Sequence, residues 1–76
     1  MKQEILKMLS DKLGVDLEDI KDDSDLFNDL GADSLDYIEI VMESEKMFNC
    51  AIPDEDAEDV RKVEDFIKLV EKYKKE

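Results

Sequence analysis

Histidine is absent from all 76 residues. That removes the usual general base of serine hydrolases, imidazole metal ligation and any HExxH-type zinc site, so a self-contained serine hydrolase is not expected. Cys50 is the one cysteine. It cannot form an internal disulfide, which suits a reducing compartment, and with nothing basic beside it the thiol is expected to pack as a small apolar group. No apolar run approaches membrane-spanning length, and the N-terminus lacks the apolar core and cleavage-type residues of a signal peptide. A soluble, cytoplasmic protein is the expectation. Basic residues are scarce through the middle of the chain: residues 14–60 hold 17 acidic and two basic side chains, within a net charge of -12. Such a field repels nucleic acid and anionic lipid, so neither nucleic acid nor membrane is an expected partner, and it draws in basic protein patches in a salt-dependent way. Self-repulsion also favours a monomer. A chain this short reads as a single domain, 1–76, burying about 60% of its unfolded surface. It has no room for a large enclosed active site.

What is present is helical periodicity. Ile5, Leu6, Leu9 and Leu13 recur at helical spacing between Lys2 and Leu13, with charged residues on the other faces. Gly14 is the expected C-terminal cap of this first helix. Residues 15–33 then form a long connection, made plausible if Val15, Leu17, Ile20, Leu26, Phe27 and Leu30 pin it onto the helices. The acidic stretch Asp16–Asp25 within it reads as a solvated face.

A second helix is predicted from about Ser34 to Phe48, with Asp33 or Ser34 as its N-cap and Asp36 in its first turn. Its apolar residues divide into two groups. Ile40, Val41 and Phe48, with Tyr37 and Ser44, make a core face. Leu35, Ile38 and Met42 make a separate stripe among Asp36, Glu39, Glu43 and Glu45, better suited to docking because the core face already exists. Pro53 fits the start of a short third helix ending near Val60. The last helix is read from Val63, Phe66, Ile67, Val70 and Tyr73, with Lys68, Lys72, Lys74 and Lys75 toward its C-terminal end. Arg61-Lys62 offers no side-chain cap, so these two helices either stop and restart or run nearly together. The fold class is all-α, a small bundle of three main helices plus one short helix.

Gly31-Ala32-Asp33-Ser34-Leu35 is the most informative segment. Glycine permits a sharp turn, small Ala32 leaves the approach uncrowded, and the Ser34 hydroxyl is reachable from outside. With Asp29-Leu30 before it and Asp36 after it, this segment resembles the attachment site of the acyl carrier protein family, whose serine bears a phosphopantetheine arm. The resemblance extends to Phe27-Asn28-Asp29-Leu30, Glu39-Ile40-Val41-Met42, Phe48 and Ile52-Pro53-Asp54-Glu55, and covers residues 3 to 74. Gly-Ala-Asp-Ser is closer to fatty-acid carriers than to peptidyl carriers, which usually have a second glycine there.

The resemblance implies that a phosphopantetheinyl transferase modifies Ser34 using coenzyme A and a metal ion, with Asp33 and Asp36 attracting the transferase or holding its metal. The chain would then be a carrier and a substrate, with no catalytic residue and no resident metal of its own. Its arm would carry acyl groups as thioesters between enzymes of fatty-acid or related lipid synthesis. Partner enzymes with basic patches and shallow apolar recesses would meet Leu35, Ile38, Glu39, Met42 and Glu45. An acyl pocket would be lined by Tyr37, Ile40, Val41, Ser44, Ile52 and Ala57.

Three residues depart from the family pattern. Tyr37 stands where fatty-acid carriers have a small residue, Ser44 where leucine is usual, and Lys46 where an acid is usual. The first two either compensate in volume or reshape the cavity for a shorter, polar or aromatic cargo, as in a specialised polyketide or aminoacyl carrier. Two readings of another class compete. An EF-hand from Asp23 fails at Phe27, at Asn28 where glycine is needed, and at Ser34 where a bidentate glutamate is needed; a calcium titration without a saturable structural change would remove divalent binding. An unmodified acidic adaptor would keep its function in Ser34→Ala.

Overall fold

The computed structural model describes residues 1–74; Lys75, counted among the cations of the last helix, lies outside the described residues. Four helices follow one another: α1 (Lys2–Leu13), α2 (Ser34–Phe48), α3 (Asp54–Ala57) and α4 (Val63–Tyr73), with one turn of 3-10 helix at Leu17–Asp19. No strand forms among the described residues. The architecture is the expected all-α bundle of three longer helices and a short one.

α1 ends as its sequence demands. Gly14 adopts φ 68°, a left-handed conformation costly for other residues, and its N–H closes the helix on the Ser10 carbonyl at 2.9 Å. The buried face of α1 holds Ile5 and Leu9 as expected, and also Met8, which follows Ile5 at i+3 but was not assigned to the core. Leu6 and Leu13 are only partly buried against it.

The connection after α1 is pinned by Ile20, Leu26 and Leu30, with Val15 and Phe27 packed partly against the core. Leu17 does not join them. It opens the 3-10 turn and is 45% exposed, because the turn directs it outward. Within the connection Asp25 organises a tight reversal. Its carboxylate accepts from the N–H groups of Asn28 (2.9 Å) and Phe27 (2.8 Å), while Asp29 accepts from the Asp25 N–H at 2.7 Å. The bond from Asn28 is the largest influence holding the Asp25 carboxyl below its ordinary range; desolvation opposes it, and Arg61, whose Nε lies 3.2 Å away, assists.

Backbone bonds then tie this connection to α4. Leu26 N–H donates to the Arg61 carbonyl (2.7 Å), and the N–H groups of Val63 and Glu64 donate to the carbonyls of Ser24 (3.0 Å) and Asp22 (2.9 Å). Val63 and Glu64 open α4, so two of the N–H groups that a helix start leaves unpaired are satisfied from across the fold. α3 and α4 therefore do not run together. α3 stops at Ala57, short of the expected Val60, and residues 58–62 turn so that α4 can begin against the connection.

The core gathers α1, α2 and α4 around Phe66, Ile5, Leu9, Leu26, Ile40, Val63 and Val70, all fully buried. Leu69, three residues after Phe66, is a further buried position not assigned from periodicity. α3 is held at its edges. Tyr37 of α2 donates its hydroxyl to the Ala57 carbonyl, the Glu45 carboxylate accepts from Ile52 N–H at 2.7 Å, and Tyr73 of α4 donates to the Asp56 carboxylate. Tyr37 packs against Phe27 (ring centroids 5.4 Å apart) and Phe66 (6.2 Å). Burial pushes the Tyr37 hydroxyl up to about 12.

Two expectations follow. Leu26→Ala removes a fully buried side chain from the connection, so its urea unfolding free energy should fall by about 2–5 kcal/mol; an unchanged midpoint would show that the connection is not part of the core. A tyrosine raised from 10.0 to about 12 favours folding fully below pH 10, and that contribution is lost as the pH climbs through about 12. Thermal midpoints between pH 8 and 12 should thus fall more steeply in the wild type than in Tyr37→Phe, and equal slopes would refute the assignment.

Candidate functional site

The start of α2 is where the sequence concentrates its most informative residues. Gly31 turns the chain with φ 79°; a Cβ there would meet nothing within 4 Å, so backbone angle and not space calls for glycine. Ala32 is buried and its N–H donates to the Leu26 carbonyl at 2.9 Å, which anchors the turn to the core. Asp33 is the N-cap. Its carboxylate accepts from Asp36 N–H at 2.8 Å, and the Asp36 carboxylate accepts in return from Asp33 N–H at 3.3 Å, a reciprocal capping box. Of the two caps open from sequence, Asp33 takes the role. The signal was present as an acid three residues after another at a helix start, though the usual partner there is Glu or Gln.

Because Asp33 caps the helix, the Ser34 hydroxyl has no capping duty. Ser34 is the first residue of α2 and is exposed. It stands at the positive end of a 15-residue helix, an environment that favours an anion. Around it the side chains are acidic, with Asp33 exposed and Asp36 half-buried.

Beyond Ser34, α2 divides its side chains by face. Tyr37, Ile40, Val41 and Ser44 are buried, while Leu35 (66% exposed), Ile38 (53%) and Met42 (61%) form an apolar stripe in solvent. Glu39 is exposed beside that stripe. Glu45 is half-buried and already bonded to Ile52 N–H, so its carboxylate also braces the segment before α3. The Ser44 hydroxyl is fully buried and has no hydrogen-bond partner among the described residues.

A cleft of about 440 Å³ runs along α2 from Ser34 and faces α3. Ser34, Tyr37, Ile38, Val41, Met42 and Glu45 line it from α2, Asp54 and Ala57 from α3 with Glu58 just after it, and Phe27 from the connection. Of the six residues predicted to surround an acyl chain, Tyr37, Val41 and Ala57 reach this cleft. Ile40, Ser44 and Ile52 are buried but are not among its lining residues. Asp54, Glu58 and Phe27 are the lining residues that sequence reasoning did not place in a site. Phe27 belongs to the long connection, and only tertiary packing brings it to α2.

The acidic run on the connection is dispersed. Asp22 pairs with Lys2 at 3.0 Å, Ser24 is buried with its Oγ accepting from Lys21 N–H, and Asp25 is occupied as described. No group of three or more Cys, Asp or Glu side chains among the described residues is arranged to hold a metal. No helix among them is long and apolar enough to cross a membrane.

Comparison with known proteins agrees with this geometry. Residues 3–70 match the model of the phosphopantetheine attachment site family. The chain is 47% identical over 75 residues to the acyl carrier protein of Chloroherpeton thalassium, covering 99% of this chain and 94% of that protein. Among solved structures, a putative acyl carrier protein from Mycobacterium tuberculosis superposes with a TM-score of 0.86 at 30% identity, covering 92% of this chain and 93% of that one. The acyl carrier protein of Thermotoga maritima does so with a TM-score of 0.78 at 38% identity, covering 92% and 81%. A doublet acyl carrier protein from prodigiosin biosynthesis, at 24% identity and a TM-score of 0.83, shares the fold. An exposed serine at the start of a capped, acidic helix, a partly apolar cleft beside it and relatives that match along nearly the whole chain together make this protein a member of the acyl carrier protein family, whose cofactor is phosphopantetheine.

Proposed function

We propose that Ser34 bears the phosphopantetheine arm and that the chain carries acyl groups for fatty-acid or related lipid synthesis in the cytoplasm, as a monomeric single domain. One observation carries the reading: Asp33 performs the capping that would otherwise occupy Ser34, which leaves an exposed hydroxyl on the wall of a partly apolar cleft. In the modification, Ser34 Oγ attacks the β-phosphorus of coenzyme A. The Oγ–P bond forms, the pyrophosphate P–O bond breaks, the adenosine bisphosphate leaves, and the serine proton passes to a base on the transferase. Exposure is all that this chain must supply. The product phosphodiester would sit at the N-terminus of α2, where the first-turn N–H groups and helix dipole favour its charge. Once attached, the arm supplies a thiol that holds acyl groups as thioesters.

Asp33 and Asp36 would repel that phosphate, so their stronger use is outward, toward basic residues or the metal of a phosphopantetheinyl transferase. Acyl-handling enzymes with basic patches would be steered by Asp33, Asp36 and Glu39 and held by Leu35, Ile38 and Met42. Glu45 is the weakest of the docking candidates because its carboxylate already serves Ile52. A cargo chain would first meet Tyr37, Val41 and Ala57. A specialised carrier remains the second reading, favoured by the aromatic ring of Tyr37 in the cleft and by the unpaired hydroxyl of Ser44.

Intact mass after incubation with coenzyme A, magnesium and a broad-specificity phosphopantetheinyl transferase tests the attachment. One phosphopantetheinyl addition is expected in the wild type and none in Ser34→Ala; a folded wild type that gains nothing would sink the proposal. Ile38→Glu and Met42→Glu alter side chains that are 53% and 61% exposed, so both should keep the wild-type circular dichroism. Each should weaken use of the loaded carrier by an acyl-transferring enzyme about fivefold or more, and wild-type turnover in both would remove the stripe from the docking surface.

A further inference from the structure

Tyr37 lines the cleft beside Ser34 and is itself buried, so it stands between the cleft and the core. Tyr37 follows Ser34 by one helical turn, and both line the cleft. Its side chain is held from several directions. Phe27 contacts one part of the ring, the fully buried Phe66 another, and the hydroxyl reaches across to the carbonyl of Ala57, the last residue of α3. That bond joins the two walls of the cleft.

A chain moving from the cleft into the core would have to part α2 from α3 at this point. Doing so would strip the Ala57 carbonyl of its partner and press the ring onto the fully buried Phe66. α3 is also restrained elsewhere, through the preceding Ile52, which Glu45 holds, and at Asp56 by Tyr73 with Lys72 Nζ 3.9 Å away. Past the tyrosine, the same face of α2 continues through Val41 to buried Ser44, which is not in contact with the cleft.

We infer that Tyr37 is a specificity-determining residue: it closes the α2–α3 cleft toward the core, bars an acyl chain carried on Ser34 from passing beneath the cleft, and so restricts the carrier to acyl groups that need no shelter in the core, short or polar ones. The inference rests on Ser34 as the attachment point. It assigns the selection to one ring and one hydrogen bond. Longer saturated chains have only the open cleft, whose lining includes the carboxylates of Glu45, Asp54 and Glu58, and gain little from the fold.

Loading the wild type, Tyr37→Leu and Tyr37→Ala with acetyl, butyryl, octanoyl and dodecanoyl pantetheine arms, each confirmed by intact mass, tests it through thermal midpoints. The wild-type midpoint should stay level across the series. In the variants it should rise with chain length, by up to about 3–6 °C for each methylene that enters. Tyr37→Leu keeps an apolar side chain at the site and serves if Tyr37→Ala does not fold. A wild-type midpoint that climbs with length overturns the inference, as do level midpoints in a folded variant. Failure of the wild type to gain mass at all strikes instead at Ser34 as the attachment point, and so the two failures read differently.

Discussion

The arrangement depends on a short antiparallel encounter between the connection after α1 and the start of α4. Leu26 donates to Arg61, and Val63 and Glu64 donate to Ser24 and Asp22. These bonds answer two needs at once. A helix start with no side-chain cap receives carbonyl partners, and a long loop in a small domain receives a fixed path. Leu26 and Leu30 bury their side chains along that path, and the Ala32 N–H closes back on Leu26. Ser34 is therefore presented by a loop that is part of the core, and not by a loose one.

From that anchored turn the chemistry of α2 follows by division of labour among adjacent residues. Asp33 and Asp36 satisfy each other and the helix start, which leaves Ser34 between them exposed. One helical face supplies the core, a second stays apolar in solvent, and acidic residues lie beside that stripe. Such a combination suits brief encounters, because charge speeds association while a modest apolar contact holds a partner only shortly.

α3 is too short to be stable by its own backbone bonds, and it is placed by its neighbours. Tyr37, Glu45 and Tyr73 each supply one polar contact to it or to the segment leading into it. The wall of the cleft is thus set by side chains from α2 and α4. A substitution at Tyr37 changes the lining of the cleft and the hold on α3 together.

Much of this protein was determined by local sequence. The limits of α1 and α2, the left-handed Gly14, the exposed Leu35, Ile38 and Met42 stripe and the Gly31-to-Asp36 segment all follow from periodicity, capping chemistry and turn residues, which act over one or two helical turns. Those local rules also misplaced some residues: they drew Leu17 inward and ran α3 on toward Val60, because neither the outward 3-10 turn nor the reversal at residues 58–62 has a strong local signature. Other features exist only once distant segments meet. The pairing of residues 22–26 with 61–64, the entry of Phe27 into the cleft and the bond from Tyr37 to Ala57 join parts of the chain about 20 to 40 residues apart. Their energies depend on burial and on partners that no local window contains. Sequence alone thus settled where the reachable serine stands and which helix bears it, while the tertiary structure decided which residue caps that helix in fact and what closes the cleft beside it.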